Sequence, residues 1–274
     1  MSNIVFLNEI KDMRYNDIKS AVRGFMSLND ISNCEKEYEL ISRVLISDDR
    51  KNVRALGSLV EKQLRNYKAE IERVNKLYDF DRSHGNIVIA GVDEVGRGPL
   101  AGPIVAAAVV LDLNSEDLIL KINDSKKLTK EVREELSVII KEKAVSYSIT
   151  IKTNKEIDEK GIGFCNNEIF KEAIYNLQVK PDMVLSDGYT IKGFDLKNEA
   201  VIKGDTKSAS IACASIIAKV YRDNLMEEYS KIYELYGFDK NVGYGTKEHI
   251  DALIKYGSCE IHRESFLRNI LKDE

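Results

Sequence analysis

The chain has 274 residues, 43% hydrophobic and 31% charged, with a formal net charge of −4 at neutral pH. This is the composition of an ordinary globular protein, long enough for one sizeable core plus a small extra module. It gives no global electrostatic reason to bind nucleic acid, so any such binding must come from a local basic surface or from metal ions. Cys34, Cys165, Cys213 and Cys259 are scattered without C-x-x-C spacing, which argues against a zinc site or a disulfide framework and for a reducing compartment. The N-terminus lacks a signal-peptide pattern and no apolar run reaches the roughly 18 residues of a membrane span. The expected location is the cytoplasm.

Residues 1 to about 80 read as helical and rich in charge. Ser32-Asn33-Cys34-Glu35 fits a capping box ahead of Tyr38, Leu40, Ile41, Val44 and Leu45. Val53, Leu56, Leu59, Val60 and Leu64 recur at helical spacing, and the pattern continues through Ile71 and Val74. The mixed charge of Glu61 to Lys76 reads as a solvated helix surface. Asp79 to Asn86, with Ser83, His84 and Gly85, is a short polar linker. We therefore expect a helical appendage over 1–82 and a second domain over 83–274.

The chain is organised around Ile87 to Leu111 (IVIAGVDEVGRGPLAGPIVAAAVVL). Two apolar, strand-length runs flank a turn rich in glycine, and read as neighbouring buried strands. Asp93 and Glu94 are the anomaly, ending a strand that should be buried. At ~4 Å and an effective dielectric of ~20 such a pair repels itself by about 4 kcal/mol, a cost that a bound divalent cation would offset. A dinucleotide loop is the rival, but Gly96-Arg97-Gly98-Pro99-Leu100-Ala101-Gly102 misses the G-x-G-x-x-G spacing and runs into a strand instead of a helix.

Asn123-Asp124-Ser125-Lys126-Lys127-Leu128 precedes a helix that Thr129 should cap. A Ser-Lys-Lys run there could hold a phosphate, although a solvated loop is the plainer reading. Val145, Tyr147, Ile149 and Ile151 alternate with Ser146, Ser148 and Thr150, the mark of a strand with one better-buried face. A helix is expected over Asn166 to Leu177, then strands at Met183-Val184-Leu185 and Ala200-Val201-Ile202, which end in Asp187 and Asp205. Three strand ends thus present acids (Asp93-Glu94, Asp187, Asp205), and that repetition points to a shared metal site built from oxygen ligands. From Lys207 a long helix should face inward with Ile211, Ala214, Ala218, Tyr221 and Leu225. Tyr244, between Gly243 and Gly245, is poorly placed for a core and should present its ring and hydroxyl. His249 and His262 read as structural or surface residues, with phosphate contact as the minority reading, and Arg263 stands beside them.

The ordered set GVDEVGRGPLAGP, DSKKL, Asp187-Gly188, IKGDTKSASIACASIIAKVYRD, GYGTKEH and HRESF resembles the bacterial type 2 ribonucleases H, over about Ile87 to Phe266. Gly-Arg-Gly at 96–98, in place of Gly-Thr-Gly, favours type HII over HIII. The helical N-terminal segment is similar to that of enzymes from low-GC Gram-positive bacteria. Ser186 stands where the family often has an apolar residue before the acid.

The resemblance implies an α/β, RNase H-like fold with a mixed five-stranded sheet between helices. It implies hydrolysis of the RNA strand of RNA–DNA hybrids and incision 5′ to single ribonucleotides in duplex DNA, leaving 3′-hydroxyl and 5′-phosphate ends, in DNA replication and ribonucleotide excision repair. By motif, Asp93, Glu94, Asp187 and Asp205 would hold two Mg²⁺ or Mn²⁺ ions. Gly96, Arg97, Gly98 and Tyr244 would contact the ribonucleotide, Lys126, Lys127 and Lys207 would contact phosphates, and Asp223 would be an additional acid. A monomer with no membrane partner is expected. The rivals are a metal-dependent DNA nuclease on the same fold and a non-catalytic hybrid-binding module. The four acids argue against the module, and the Gly-Arg-Gly and Tyr244 pair against the DNA nuclease.

Overall fold

The structure, a computed structural model, describes residues 5–271. The chain divides into two compact units, 1–73 and 74–274. In the first, α1 (Tyr15–Leu28), α2 (Glu35–Ile46) and the opening turns of α3 (Lys51–Arg82) bury one apolar stripe each, with Ile18, Val22, Phe25, Tyr38, Ile41, Leu45, Val53 and Val60 at its centre. The expected capping box is not formed. Ser32 lies in a turn whose N–H and hydroxyl both donate to Asp30 Oδ1, and Cys34, which precedes α2, offers no side-chain cap.

The second unit starts earlier than the polar linker suggested. The last turns of α3 place Val74, Leu77 and Tyr78 in the core of this unit, and the Tyr78 hydroxyl accepts from Ile119 N–H. Charged neighbours such as Asp79 and Arg82 disguised that apolar face in the sequence.

Five strands follow: β1 (Ile89–Val95), β2 (Ile104–Val110), β3 (Ser146–Lys152), β4 (Met183–Asp187) and β5 (Lys197–Val201), in the order β3-β2-β1-β4-β5. β1 pairs antiparallel with β2 and parallel with β4; β2–β3 is antiparallel and β4–β5 parallel. The central strands are buried on both faces, which explains their continuous apolar runs. On one face lie α4 (Lys130–Lys143), capped by Thr129, and α7 (Ala209–Ile232). On the other lies α6 (Ile162–Tyr175), preceded by α5 (Asn154–Lys160). Short helices α8 (Phe238–Asn241), α9 (Lys247–Tyr256, capped by Thr246) and α10 (Glu264–Leu267) complete the chain.

β3 has the better-buried face that alternation predicts, but it is the hydroxyl face. Ser146, Ser148 and Thr150 are buried while Tyr147 is exposed. α6 makes this tolerable: Ser148 and Thr150 donate to the carbonyls of Ala173 and Ile169, and Ser146 accepts from Gln178 N–H. A buried hydroxyl carries little penalty once bonded.

Helix α7 also departs from its expected stripe. Its first half, Ala209 to Ala218, is buried throughout, because small side chains let it lie close against β1 and β2. At Gly91 in β1 a Cβ would stand 2.2 Å from the Ser210 carbonyl carbon, so only glycine admits the helix there. Further along, Arg222 and Met226 point inward and Tyr221 is 38% exposed. The start of α7 is fixed by Asp81, fully buried, whose Oδ2 accepts from Ser210 N–H and Oγ–H at 2.9 Å each.

Candidate active site

The acids meet at the C-terminal ends of β1 and β4. Val92 pairs with Ser186 in the parallel ladder, so Asp93 and Asp187 follow side by side on neighbouring strands. Asp205 arrives through the tight turn after β5, whose Gly204 N–H donates to Asp187 Oδ1 at 2.6 Å. Fully buried Ser186, the departure from the family pattern, donates to Tyr189 carbonyl and steadies the turn after Asp187. Asp93, Glu94 and Asp187 line a cavity of about 380 Å³ together with Val95, Ser125, Lys126, Ser215, Lys219 and Tyr244. A larger cavity, about 750 Å³, lies at the other end of β1 among Ile87, Val88, Val110 and Leu111, and gathers no such set of acids.

Electrostatics single out the first cavity. Burial, then Glu94 and Asp187, push the Asp93 carboxyl well above its ordinary range, opposed in part by a Ser215 hydrogen bond. Glu94 is pushed up to about 7, mainly by burial, with Asp187 adding and Arg97 opposing. Asp205 is raised by burial, Asp187 and Asp124. Acids held at this cost are short of positive charge. Carboxylate oxygens are the hard donors that Mg²⁺ and Mn²⁺ prefer, so the donor set fits divalent ions. Among the described residues no three His, Cys, Asp or Glu side chains close on one point as a finished cage.

The other expected site residues sort clearly. Tyr244 is 43% exposed and borders the cavity. Gly98 faces that ring, since a Cβ there would stand 3.9 Å from Tyr244 Cε1. The Arg97 guanidinium lies over the Tyr189 ring, 4.4 Å from its centroid. Lys126 lines the cavity, whereas Lys127 is exposed, 3.7 Å from Asp124, and Lys207 is exposed at the end of the Gly204–Thr206 turn. The Asp124 side chain caps the Ser125–Lys127 turn by accepting from Lys126 N–H, the place the sequence reading offered to a phosphate. Asp223 does not line the cavity itself but is ion-paired to Lys219, which does: Lys219 Nζ lies 2.8 Å and an Arg133 nitrogen 3.6 Å from its oxygens.

Ser215, Lys219, Asp124 and Tyr189 escaped the sequence reading. Only the Lys219–Asp223 spacing of four residues carried a local signal; the others depend on which turn of α7 or which loop faces the acids.

His249 and His262 are buried and bonded to each other, with Nε2 atoms 3.0 Å apart. Their tautomers follow from the ends of the chain. Cys259 N–H donates to His262 Nδ1 at 2.8 Å, so the His262 proton sits on Nε2 and points at His249 Nε2. The His249 proton is then on Nδ1, which donates to the Tyr244 carbonyl at 2.9 Å. Burial lowers both, His262 to about 4, so the pair is neutral near pH 7. These histidines hold the Tyr244 loop from behind.

Comparison with known proteins identifies the family and the fold. The sequence profile of the family described as Ribonuclease HII matches residues 90–269. The chain is 58% identical over 276 residues to ribonuclease HII of Clostridium perfringens (strain 13), covering 96% of this chain and 99% of that one. It is 56% identical over 268 residues to ribonuclease HII of Clostridium botulinum (strain Loch Maree), covering 97% and 99%. The crystal structure of ribonuclease H2 from Pyrococcus horikoshii superposes with a TM-score of 0.58 at 30% identity, over 67% of this chain and 96% of that one. Ribonuclease HII in the PCNA complex from Archaeoglobus fulgidus gives 0.56 at 26%, over 68% and 98%.

Proposed function

The chain belongs to the ribonuclease HII family and is a metal-dependent ribonuclease H, and from that premise we propose its substrate, its site and its products. It cuts the RNA strand of RNA–DNA hybrids and incises duplex DNA 5′ to a single ribonucleotide, leaving a 3′-hydroxyl and a 5′-phosphate. Asp93, Glu94, Asp187 and Asp205 would hold two Mg²⁺ or Mn²⁺ ions. Bound there, such ions supply activation of a water and stabilisation of the leaving 3′-oxygen.

The chain's own groups do the rest. Ser215, bonded to Ser125 at 3.1 Å, shares the cavity wall with Asp93 and helps keep its carboxyl ionisable. Gly98 faces the ring of Tyr244, which borders the cavity, and the Gly96–Gly98 backbone and Tyr244 take the ribonucleotide. Lys126, at the cavity wall, meets a phosphate, with Lys127 and Lys207 farther along the backbone. Asp223, ion-paired to Lys219, orients that lysine at the cavity wall. The observation that carries the reading is the convergence of acids from β1 and β4 on one cavity that Tyr244 also borders, with the Asp205 turn tied to Asp187 through Gly204 N–H. We propose a monomer that works in the cytoplasm, in replication and ribonucleotide excision repair. Free cysteines at 34, 165, 213 and 259 support a reducing compartment, and among the described residues no helix is long and apolar enough to cross a membrane.

The test is cleavage of duplex DNA carrying one ribonucleotide, with Mg²⁺, Mn²⁺ or chelator, and mapping of both ends. A cut on the 5′ side with polymerase-extendable 3′ ends supports the reading. Equal cleavage of all-DNA duplex would favour the DNA nuclease instead.

A further inference from the structure

Two of the largest buried side chains have no part in the acid site. Arg222 and Arg263 are both fully buried, and among the described residues neither forms an ion pair. Asp158, the acid whose charge reaches Arg263, is occupied by the start of α10, accepting from Glu264 N–H and Ser265 N–H. Every hydrogen bond these guanidiniums donate goes to a backbone carbonyl. Arg263 donates to Gly96 at 2.6 Å, Arg97 at 3.0 Å and Gly102 at 2.9 Å. Arg222 donates to Pro103 at 2.9 Å, Ala101 at 3.1 Å and Val242 at 2.9 Å.

All of these carbonyls belong to the loop from Gly96 to Pro103 or to Val242, two residues before Tyr244. Val242 is β-branched yet has φ +43°, a conformation that persists only where the surroundings impose it. Gly96 has φ +91°, and a Cβ there would meet Arg222 Nε at 2.2 Å. The two loops are also joined by Leu100 N–H donating to Gly243 carbonyl at 2.8 Å.

The orientation of the peptides has a consequence. A trans peptide points its N–H opposite to its C=O, and no cis bonds occur among the described residues. With the carbonyls of Gly96 and Arg97 turned inward to Arg263, the N–H groups of Arg97 and Gly98 face away from it. Neither N–H has a hydrogen-bond partner among the described residues. Behind them sit two unpaired positive charges, which give that peptide edge a standing attraction for an oxygen lone pair.

We propose that Arg263, backed by Arg222, is the positioning residue for ribose recognition: it fixes the Arg97 and Gly98 N–H groups outward as donors to a sugar hydroxyl oxygen or its adjoining phosphate. This rests on the proposed function and adds the residues that make the loop selective. Arg263 acts through the backbone and does not touch substrate.

The experiment uses the full chain and the variant Arg263→Lys, which keeps a charge but cannot reach three carbonyls. Binding is measured in chelator, so that no cleavage occurs, to a duplex with one ribonucleotide and to the same duplex in DNA. Thermal melting and Mn²⁺ titration are run alongside. The expected result is a preference for the ribonucleotide duplex that falls about tenfold or more, as for the loss of well-aligned donors, with Mn²⁺ affinity unchanged. A folded variant with undiminished preference overturns the inference. If Arg263→Lys does not fold, Gly98→Pro decides, since it deletes one outward N–H and leaves both arginines: lost preference supports the inference and retained preference overturns it. Wild-type protein that neither prefers nor cuts the ribonucleotide duplex overturns the underlying function instead.

Discussion

The molecule holds two clusters of like charge and compensates them in opposite ways. Asp93, Glu94 and Asp187 open on a cavity, with Asp205 beside them, and burial, reinforced by their crowding, drives Asp93, Glu94 and Asp205 up towards the neutral form. Arg222 and Arg263 are sealed, and burial drives them down, to about 10 and about 9, without neutralising them. Carbonyl dipoles are permanent partners, whereas a cavity leaves room for exchangeable ones. A sealed cluster therefore behaves as scaffold, and an open cluster as a place where a cation or substrate completes the charge balance. Asp81 belongs with the sealed kind, since Ser210 N–H and Oγ–H are fixed donors to it.

The largest effect should come from removing a sealed group together with its neighbours. A chain beginning at residue 83 loses Val74, Leu77, Tyr78 and Asp81 from the second unit. Deleting buried apolar side chains costs ~2–5 kcal/mol each, and whole domains are stable by only ~5–15 kcal/mol. Residues 83–274 should therefore fail to fold at 25 °C, while residues 70–274 should melt cooperatively by circular dichroism. Similar melting of both would show that the end of α3 is dispensable.

Opening the comparison from the other side, Asp187→Asn or Asp205→Asn keeps the shape and removes charge from the open cluster. Cleavage should drop by a factor on the order of 10²–10³ or more, while duplex binding in chelator survives, because that charge acts on the chemical step. Near-normal turnover of Asp187→Asn at saturating Mg²⁺ would remove the acid from the site.

The open cluster was the more legible of the two. Each acid follows a short apolar strand and precedes glycine or a turn, a local pattern, so Asp93, Glu94, Asp187 and Asp205 could be read in order along the chain. The sealed cluster could not. An arginine in a helix is expected outside, so the stripe on α7 was phased on Tyr221 and Leu225, and Arg222 and Met226 took the inward face instead. The same priority given to apolar residues hid the buried hydroxyls of β3, whose partners are carbonyls of α6, distant in sequence. The N-terminal boundary was blurred for a related reason, because Val74, Leu77 and Tyr78 alternate with charges and the core they join forms only in three dimensions. What local pattern cannot supply is the partner that makes a polar burial cheap.

A smaller effect separates stability from function at Asp93. A carboxyl whose folded pKa is raised contributes stability below its unfolded value near 4, and loses it as pH rises through the folded value, here about 7 for Glu94. In chelator the wild type should lose stability between pH 5.5 and 7.5. Asp93→Asn should flatten that loss and melt higher at pH 7.5, by about 1–3 kcal/mol, while being inactive. Mg²⁺ should recover the wild type more at pH 7.5 than at 5.5, since binding must displace protons, and should recover the variant little. A variant no more stable than wild type in chelator would mean the acids are not strained by one another.

The smallest effect has the opposite sign and comes from the sealed histidines behind Tyr244. A free imidazole titrates near ~6.5, but burial and His249 hold His262 down to about 4. Below pH 6.5 the unfolded chain takes up a proton that the folded chain refuses, so stability present above that pH is lost progressively as pH falls to about 4. Protonation also breaks the relay, because two imidazolium rings cannot share the 3.0 Å Nε2–Nε2 contact. His262→Gln can still accept from Cys259 N–H and cannot titrate. Its melting temperature should therefore fall less than that of wild type between pH 6.5 and 4.5, a difference on the order of 1–2 kcal/mol. Over that range Asp93→Asn should fall more steeply than wild type, having lost a carboxyl that gains stability on protonation. Measured together in chelator, the two variants should bracket the wild-type slope. Slopes displaced in the same direction would break the distinction between an open acid cluster and a sealed histidine pair.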